Sequence, residues 1–136
     1  MVDVISPEAR SALMARVKGW NTKPEMVVRS LTHGLGFRFR LHRRDLPGTP
    51  DLVFPGRRKV IFVHGCFWHR HAGCKLAAEP KTRQEFWTRK FQDNVERDRT
   101  ARESLEAAGW KVLVVWECQT RAPAGLAERL SEFLSE

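Results

Sequence analysis

Eleven consecutive residues, His64 to Cys74, restrict what this chain can fold into more than any other stretch. The run His64-Gly-Cys-Phe-Trp-His-Arg-His-Ala-Gly-Cys74 carries three of the five histidines and two of the three cysteines. Thiolate sulfur and neutral imidazole nitrogen are the donors zinc prefers, and four of them closed around one ion make a structural site. Four residues separate Cys66 from His71 and two separate His71 from Cys74, gaps that let one loop wrap an ion. Cys118 is the remaining cysteine, and the apolar run Lys111 to Trp116 before it would deliver it from the end of a strand. A Cys3His site on Cys66, His71, Cys74 and Cys118 is the leading reading. Two others stand beside it. A disulfide would leave one cysteine over, and the amino terminus shows no secretory signal. Alternatively, the cysteines are small buried hydrophobes beside surface histidines. The zinc reading leaves His64 and His69 without a structural task.

At 136 residues the chain has the size of one ordinary domain, and no internal repeat, linker or membrane-length apolar run divides it. It is expected to be soluble and monomeric, placed in the cytoplasm by the lack of an export signal. Lysine and arginine outnumber the acids 24 to 16. The excess is +5 over residues 1–50, +5 over 51–100 and −2 over 101–136. A basic first two thirds is expected to build a face for a polyanion; a merely cationic soluble protein is the plainer alternative.

Along the chain, helix and strand signals alternate. Ser6-Pro7-Glu8 opens a short helix to about Val17. Thr22-Lys-Pro-Glu25 is a capping-box pattern, with Met26, Val27, Leu31 and Leu35 behind it and Gly36 as the stop. Phe37, Phe39 and Leu41 alternate with Arg38, Arg40 and His42, as in a half-buried strand. A turn over Leu46 to Pro50 leads into a short strand at Asp51 to Phe54, and a second turn over Pro55 to Arg58 leads into the central strand Lys59 to His64. Helix follows from about Arg83 to Ala108, then a buried strand at Lys111 to Trp116, then an amphipathic helix after Pro123. Helices on both sides of a mixed sheet are the layering such an order favours.

An aspartate at a strand entrance after Pro50, followed across a turn by a second core strand, is the skeleton of a metal-dependent nuclease site of the PD-(D/E)xK type. There a carboxylate at a strand end holds a hard cation against a phosphate. Taken alone, Pro50-Asp51 is an ordinary turn. The acid and lysine that complete the usual pattern are missing, and Val63-His64-Gly65 stand near their place.

Longer strings carry more information. Leu46-Pro-Gly-Thr-Pro-Asp51, Val60-Ile-Phe-Val-His-Gly-Cys-Phe-Trp-His69, Thr82-Arg-Gln-Glu-Phe-Trp87, Asn94-Val-Glu-Arg-Asp-Arg99 and Gly109-Trp-Lys-Val-Leu-Val-Val-Trp-Glu-Cys118 together resemble the very-short-patch repair (Vsr) DNA mismatch endonucleases over essentially the whole chain. The resemblance implies an α/β, restriction-endonuclease-like core with a structural zinc. It also implies magnesium-dependent nicking of one strand of duplex DNA 5′ to the thymine of a T:G mismatch. Carried over by position, it places the magnesium on the Asp51 carboxylate and on the main-chain carbonyl of Val63, where better-known members carry threonine. It makes His69 the group that prepares the attacking water, sets His64 beside the reacting phosphate, and makes Glu25 a further active-site acid; helix capping is the rival role for Glu25. A histidine suits such a base because it titrates near neutrality. The zinc ligands correspond too, with one residue more between His71 and Cys74 than the family pattern has.

The resemblance also implies a DNA-opening wedge: Phe67 and Trp68 intercalate, Trp87 backs them, and Met14 enters from the opposite groove within a clamping segment at residues 1–20. An apolar wedge is the cheapest way to replace lost base stacking, although an aromatic pair is ordinarily core. Lys90 and Asn94 share a helical stripe with Trp87 and are expected at base edges, or else on a solvated face. Arg97 and Arg99 are expected at phosphates. Downstream repair proteins would follow the nick. Two alternatives remain: a broader nuclease acting on other mismatches or deaminated bases, and a mismatch-binding module that no longer cleaves.

Overall fold

Lys59–His64 is apolar nearly throughout because it lies inside a sheet and is covered on both faces. The computed structural model describes residues 22–136; the helix expected from Ser6, Met14 and the clamp at residues 1–20 lie outside the described residues. The elements are α1 (Lys23–Gly34), β1 (Arg40–Leu41), β2 (Leu52–Phe54), β3 (Lys59–His64), α2 (Gln84–Ala107), β4 (Lys111–Trp116) and α3 (Pro123–Ser135), with 3-10 turns at Pro55–Arg57 and Glu117–Arg121. The strands form one mixed sheet in the order β1-β2-β3-β4. The first three are antiparallel neighbours, and β3 and β4 run parallel, Val63 beside Val115 and His64 beside Trp116. Parallel neighbours need a long crossover, and α2 supplies it.

Pleating sends alternate residues to opposite faces. Leu52, Phe54, Ile61 and Val115 pack against Val28 of α1 and Leu126, Leu130 and Leu134 of α3. Val53, Val60 and Phe62 pack on the other face against Leu105 of α2. The expected sandwich of helices around a mixed sheet is what forms. The end of α3 is fastened to the sheet: Lys59 Nζ donates to the carbonyls of Phe133 and Glu136, and Arg57 to that of Leu134. These cations satisfy carbonyls that a helix end leaves orphaned.

Three expectations need correcting. The strand expected from Phe37 contracts to two residues, because it is an edge strand whose ladder ends at His42, where φ turns to +47°. β4 is also an edge strand and only half-buried; Val115 alone in it is fully covered. α1 is rotated from its expected apolar face: Met26 and Leu35 are exposed, and the helix buries Glu25, Val28 and Thr32. A carboxylate buried on purpose needs partners, and these lie in the site. Between β1 and β2 the chain turns at Gly48, φ +75°, where an added Cβ would stand 2.7 Å from the Ala101 Cβ of α2. Only glycine admits that approach, and it presses the loop carrying Asp51 onto α2.

Candidate active site and metal centre

The parallel register of β3 and β4 brings their carboxyl ends side by side, and the chemistry gathers there. The loop after β3 supplies Cys66, His71 and Cys74, and the turn after β4 supplies Cys118; their donor atoms all lie within 4.8 Å of one another. His71 Nδ1 is 3.6 Å from Cys66 Sγ and 3.5 Å from Cys118 Sγ. Tetrahedral zinc with its ordinary bond lengths puts sulfur and nitrogen ligands about 3.6 Å apart, so the donor set fits that ion. The Cys118 N–H donates to Cys66 Sγ at 3.4 Å, and the Cys66 N–H to Glu117 Oε1 at 3.3 Å. Burial pushes the Cys66 thiol up to about 12, whereas the Leu76 N–H pulls Cys74 down. A cation among these sulfurs would relieve the cost of ionising Cys66. All three cysteines are free of disulfides.

Beside this cluster lies a second arrangement. The His69 ring stacks on His64, centroids 4.0 Å apart and planes within 5°. His69 Nδ1 lies 2.6 Å from Asp98 Oδ2, and His64 Nε2 lies 3.9 Å from Asp98 Oδ1. A carboxylate at Nδ1 selects the tautomer protonated there and leaves Nε2 as the base. His64 is nearly covered, and burial, reinforced by the neighbouring His69, brings it down to about 4, with Asp98 opposing. His64 is therefore neutral at physiological pH. Trp116 links the two clusters: it stacks on His71 at 4.3 Å and meets His64 edge-on at 5.3 Å.

A third group forms opposite. Asp51 Oδ2 accepts from the Val63 N–H at 2.7 Å, so the residue expected to offer its carbonyl to a metal also holds the carboxylate through its amide. Thr22 Oγ1 accepts from the Glu25 N–H at 3.4 Å, one half of the expected capping box. The Glu25 carboxylate itself turns away to Arg29 and to His42 Nε2, the latter at 3.0 Å. Burial drives the Asp51 carboxyl up to about 8, opposed by the Val63 N–H and reinforced by Glu25. A pair of acids with a histidine at such a spot is suited to a divalent cation. Asp51, Val63, His64, His69 and Asp98 all line one cleft of about 1150 Å³.

Trp68 lines that cleft, and further aromatic rings cluster around it. Phe67 meets Trp68, Trp87 and Phe91 edge-on at 5.2, 5.7 and 5.2 Å. Trp68 is 42% exposed, so its ring is not sealed into the core. The Arg70 guanidinium lies 4.2 Å over Phe91 and braces the loop by donating to the carbonyls of Phe67 and Ala77. Asn94, expected at a base edge, donates to the Trp68 carbonyl at 3.0 Å and so helps hold the loop that carries Phe67 and Trp68. Lys90 and Arg97 line the cleft. Arg99 does too, with its guanidinium shared between Glu96 and Glu103.

Sequence reasoning missed Asp98, His42 and Glu117. Asp98 could have been found: it lies four residues beyond Asn94 on the stripe of Lys90 and Asn94. His42 looked like the outward-facing polar residue of an alternating strand, and no local signal marks its turn inward.

Comparison with known proteins bears on the same residues. The family model for DNA mismatch endonuclease Vsr matches residues 2–75. The chain belongs to the Vsr family. It is 52% identical over 134 residues, 98% of each chain, to the type II nicking enzyme V.XorIIP of Xanthomonas oryzae pv. oryzae. To the DNA mismatch endonuclease Vsr of Escherichia coli K12 it is 44% identical, over 98% of this chain and 88% of that one. To the type II nicking enzyme V.NmeAIP of Neisseria meningitidis serogroup A it is 38% identical over its whole length and 96% of that protein. The match to Vsr takes in both Asp51 and the His64–Cys74 loop. Among the described residues no helix is long and apolar enough to cross a membrane.

Proposed function

We propose that this protein is an endonuclease that nicks one strand of duplex DNA 5′ to the thymine of a T:G mismatch, using magnesium for catalysis and zinc for structure. The observation that carries the reading is a single cleft lined by Asp51 and the neighbouring imidazoles of His64 and His69, with Trp68 on its rim. Family membership supports it, since relatives are named as mismatch endonuclease and as nicking enzymes. On this reading the sheet is a restriction-endonuclease-like core, and residues 1–136 form one domain with a clamp at 1–20 that includes Met14. The protein works as a monomer on chromosomal DNA in the cytoplasm, ahead of further repair proteins.

The residues have distinct tasks. Asp51, with Glu25 beside it and the Val63 main chain, holds the divalent cation, which when bound neutralises phosphate charge and favours ionisation of water. His69, oriented by Asp98, accepts the proton of the attacking water at Nε2. His64, kept neutral, donates to a phosphate oxygen. Phe67 and Trp68, backed by Trp87, enter the opened base step. Lys90 contacts base edges together with Asn94, while Arg97 and Arg99 pair with phosphates as part of the basic face. Cys66, His71, Cys74 and Cys118 hold zinc, which fixes the loop carrying His69 and both rings.

The test is a nicking assay on labelled duplexes bearing each mismatch and varied flanks. T:G duplexes nicked beside the thymine, with magnesium required and the Asp51→Ala variant inert, is the expected result. Equal cutting of many mismatches or deaminated bases would move the protein to a broader nuclease, and tight mismatch binding without cutting would make it a binding module.

A further inference from the structure

Where His42 and Asp51 line the cleft with the buried Glu25 behind them, three donor atoms from three separate elements converge. Glu25 comes from α1, His42 from just past β1, and Asp51 from the entrance to β2. Each carboxylate is fixed through one oxygen: Arg29 takes Glu25 Oε2, and the Val63 N–H takes Asp51 Oδ2. Each turns its other oxygen to the same place. His42 Nε2 lies 3.0 Å from Glu25 Oε1 and 3.8 Å from Asp51 Oδ1, and the three residues can bring donor atoms within 4.8 Å of one another. In an octahedral site with bonds of about 2.1 Å, neighbouring donors stand about 3.0 Å apart and opposite ones about 4.2 Å. The spacing therefore needs only slight contraction to close on an ion. Partners that hold the outer oxygens of metal-binding carboxylates are what orient such ligands.

His42 reaches this position at a backbone cost. Its N–H still donates to the Asp51 carbonyl at 3.3 Å, continuing the ladder, yet its φ is +47°. A residue with a Cβ adopts that conformation only against steric resistance. A strand with regular alternation would have carried the imidazole elsewhere.

We propose that His42 is a direct ligand of the catalytic divalent cation, adding one imidazole to the Glu25 and Asp51 carboxylates and the Val63 main chain. This rests on the divalent-cation reading given above and adds to it the ligand set and the metal preference. Magnesium favours oxygen donors, whereas manganese and later divalent metals accept imidazole readily. The site therefore selects manganese over magnesium more strongly than an all-oxygen site would.

Manganese is the probe, bound to the full chain already loaded with zinc. Pulsed electron paramagnetic resonance should detect a nitrogen-14 nucleus bonded directly to the manganese. That coupling should disappear in His42→Gln and persist in His64→Gln and His69→Gln. In titrations His42→Gln should bind manganese about tenfold more weakly, with a smaller loss for magnesium measured by competition. Bound manganese without nitrogen coupling in the unaltered protein overturns the proposal, whatever becomes of the variants. So does a coupling that survives His42→Gln or vanishes in His69→Gln. Failure of the wider reading has a different signature: no manganese bound in the cleft at all, with the unaltered protein and Asp51→Asn behaving alike.

Discussion

Two donor clusters lie at the same end of the sheet and are built on opposite plans. The sulfur-rich one is drawn from a loop and a turn, its donors face each other, and Cys66 within it is fully buried. The carboxylate one has its acids braced from outside by Arg29 and the Val63 N–H, and Asp51 opens onto a wide cleft. Soft donors closed on one another favour an ion that stays. Hard donors beside a cleft favour an ion that can meet a phosphate and leave water positions open. On the proposed function, the difference teaches that the first cluster would serve shape and the second reaction.

The largest expected effect separates those roles outright. Asp51→Asn should lower the nicking rate by about 10³-fold or more while the melting temperature does not fall and mismatch affinity holds steady, as read by single-turnover kinetics, calorimetry and band shift. Cys118→Ser should do the reverse: stability falls by about 3 kcal/mol or more, because structural zinc binding is folding free energy, and elemental analysis finds less than one zinc per chain. A Cys118→Ser protein that melts normally but cannot nick would erase the distinction. Between these lies Asp98→Asn, which leaves both clusters intact and removes the carboxylate that orients His69. It should slow nicking by about 10²-fold, seen in kcat, while the Kd for DNA stays unchanged.

The smallest effect concerns protons. Without magnesium, Asp51 in the folded chain titrates near about 8 against an ordinary 3.8, so between those values the native state holds a proton that the unfolded chain has lost, and stability falls as pH rises. His64, at about 4 against 6.5, has the opposite sign: the unfolded chain holds the extra proton, and stability rises with pH over that window. From about pH 4 to 6.5 the two contributions offset each other. Above 6.5 Asp51 acts alone, and denaturant melts should show a loss of about 2 kcal/mol by pH 8. Magnesium or Asp51→Asn should abolish that loss.

Most of the frame was legible in the chain. Thr22 and Pro24 announced α1, the unbroken apolar run announced β3, and Pro123 announced α3, because each signal is local. The four sulfur and nitrogen donors were legible too, since three share a loop and the last follows a strand. What could not be read depends on contacts between distant elements. The inward turn of His42 depends on the end of an edge ladder, and the rotation of α1 depends on Arg29 and His42 receiving Glu25. Neither is visible in local patterns, which offered Glu25 as a cap beside the acid role the resemblance implied and put His42 on the solvent side.

Because β3 pairs with β4 across a long crossover, Cys66 meets its partner Cys118 only after 52 further residues have been added. During synthesis, Asp51 and both imidazoles leave the ribosome well before the turn that must frame them. A nascent or prematurely terminated chain therefore has the reactive groups but no rigid mouth to aim them.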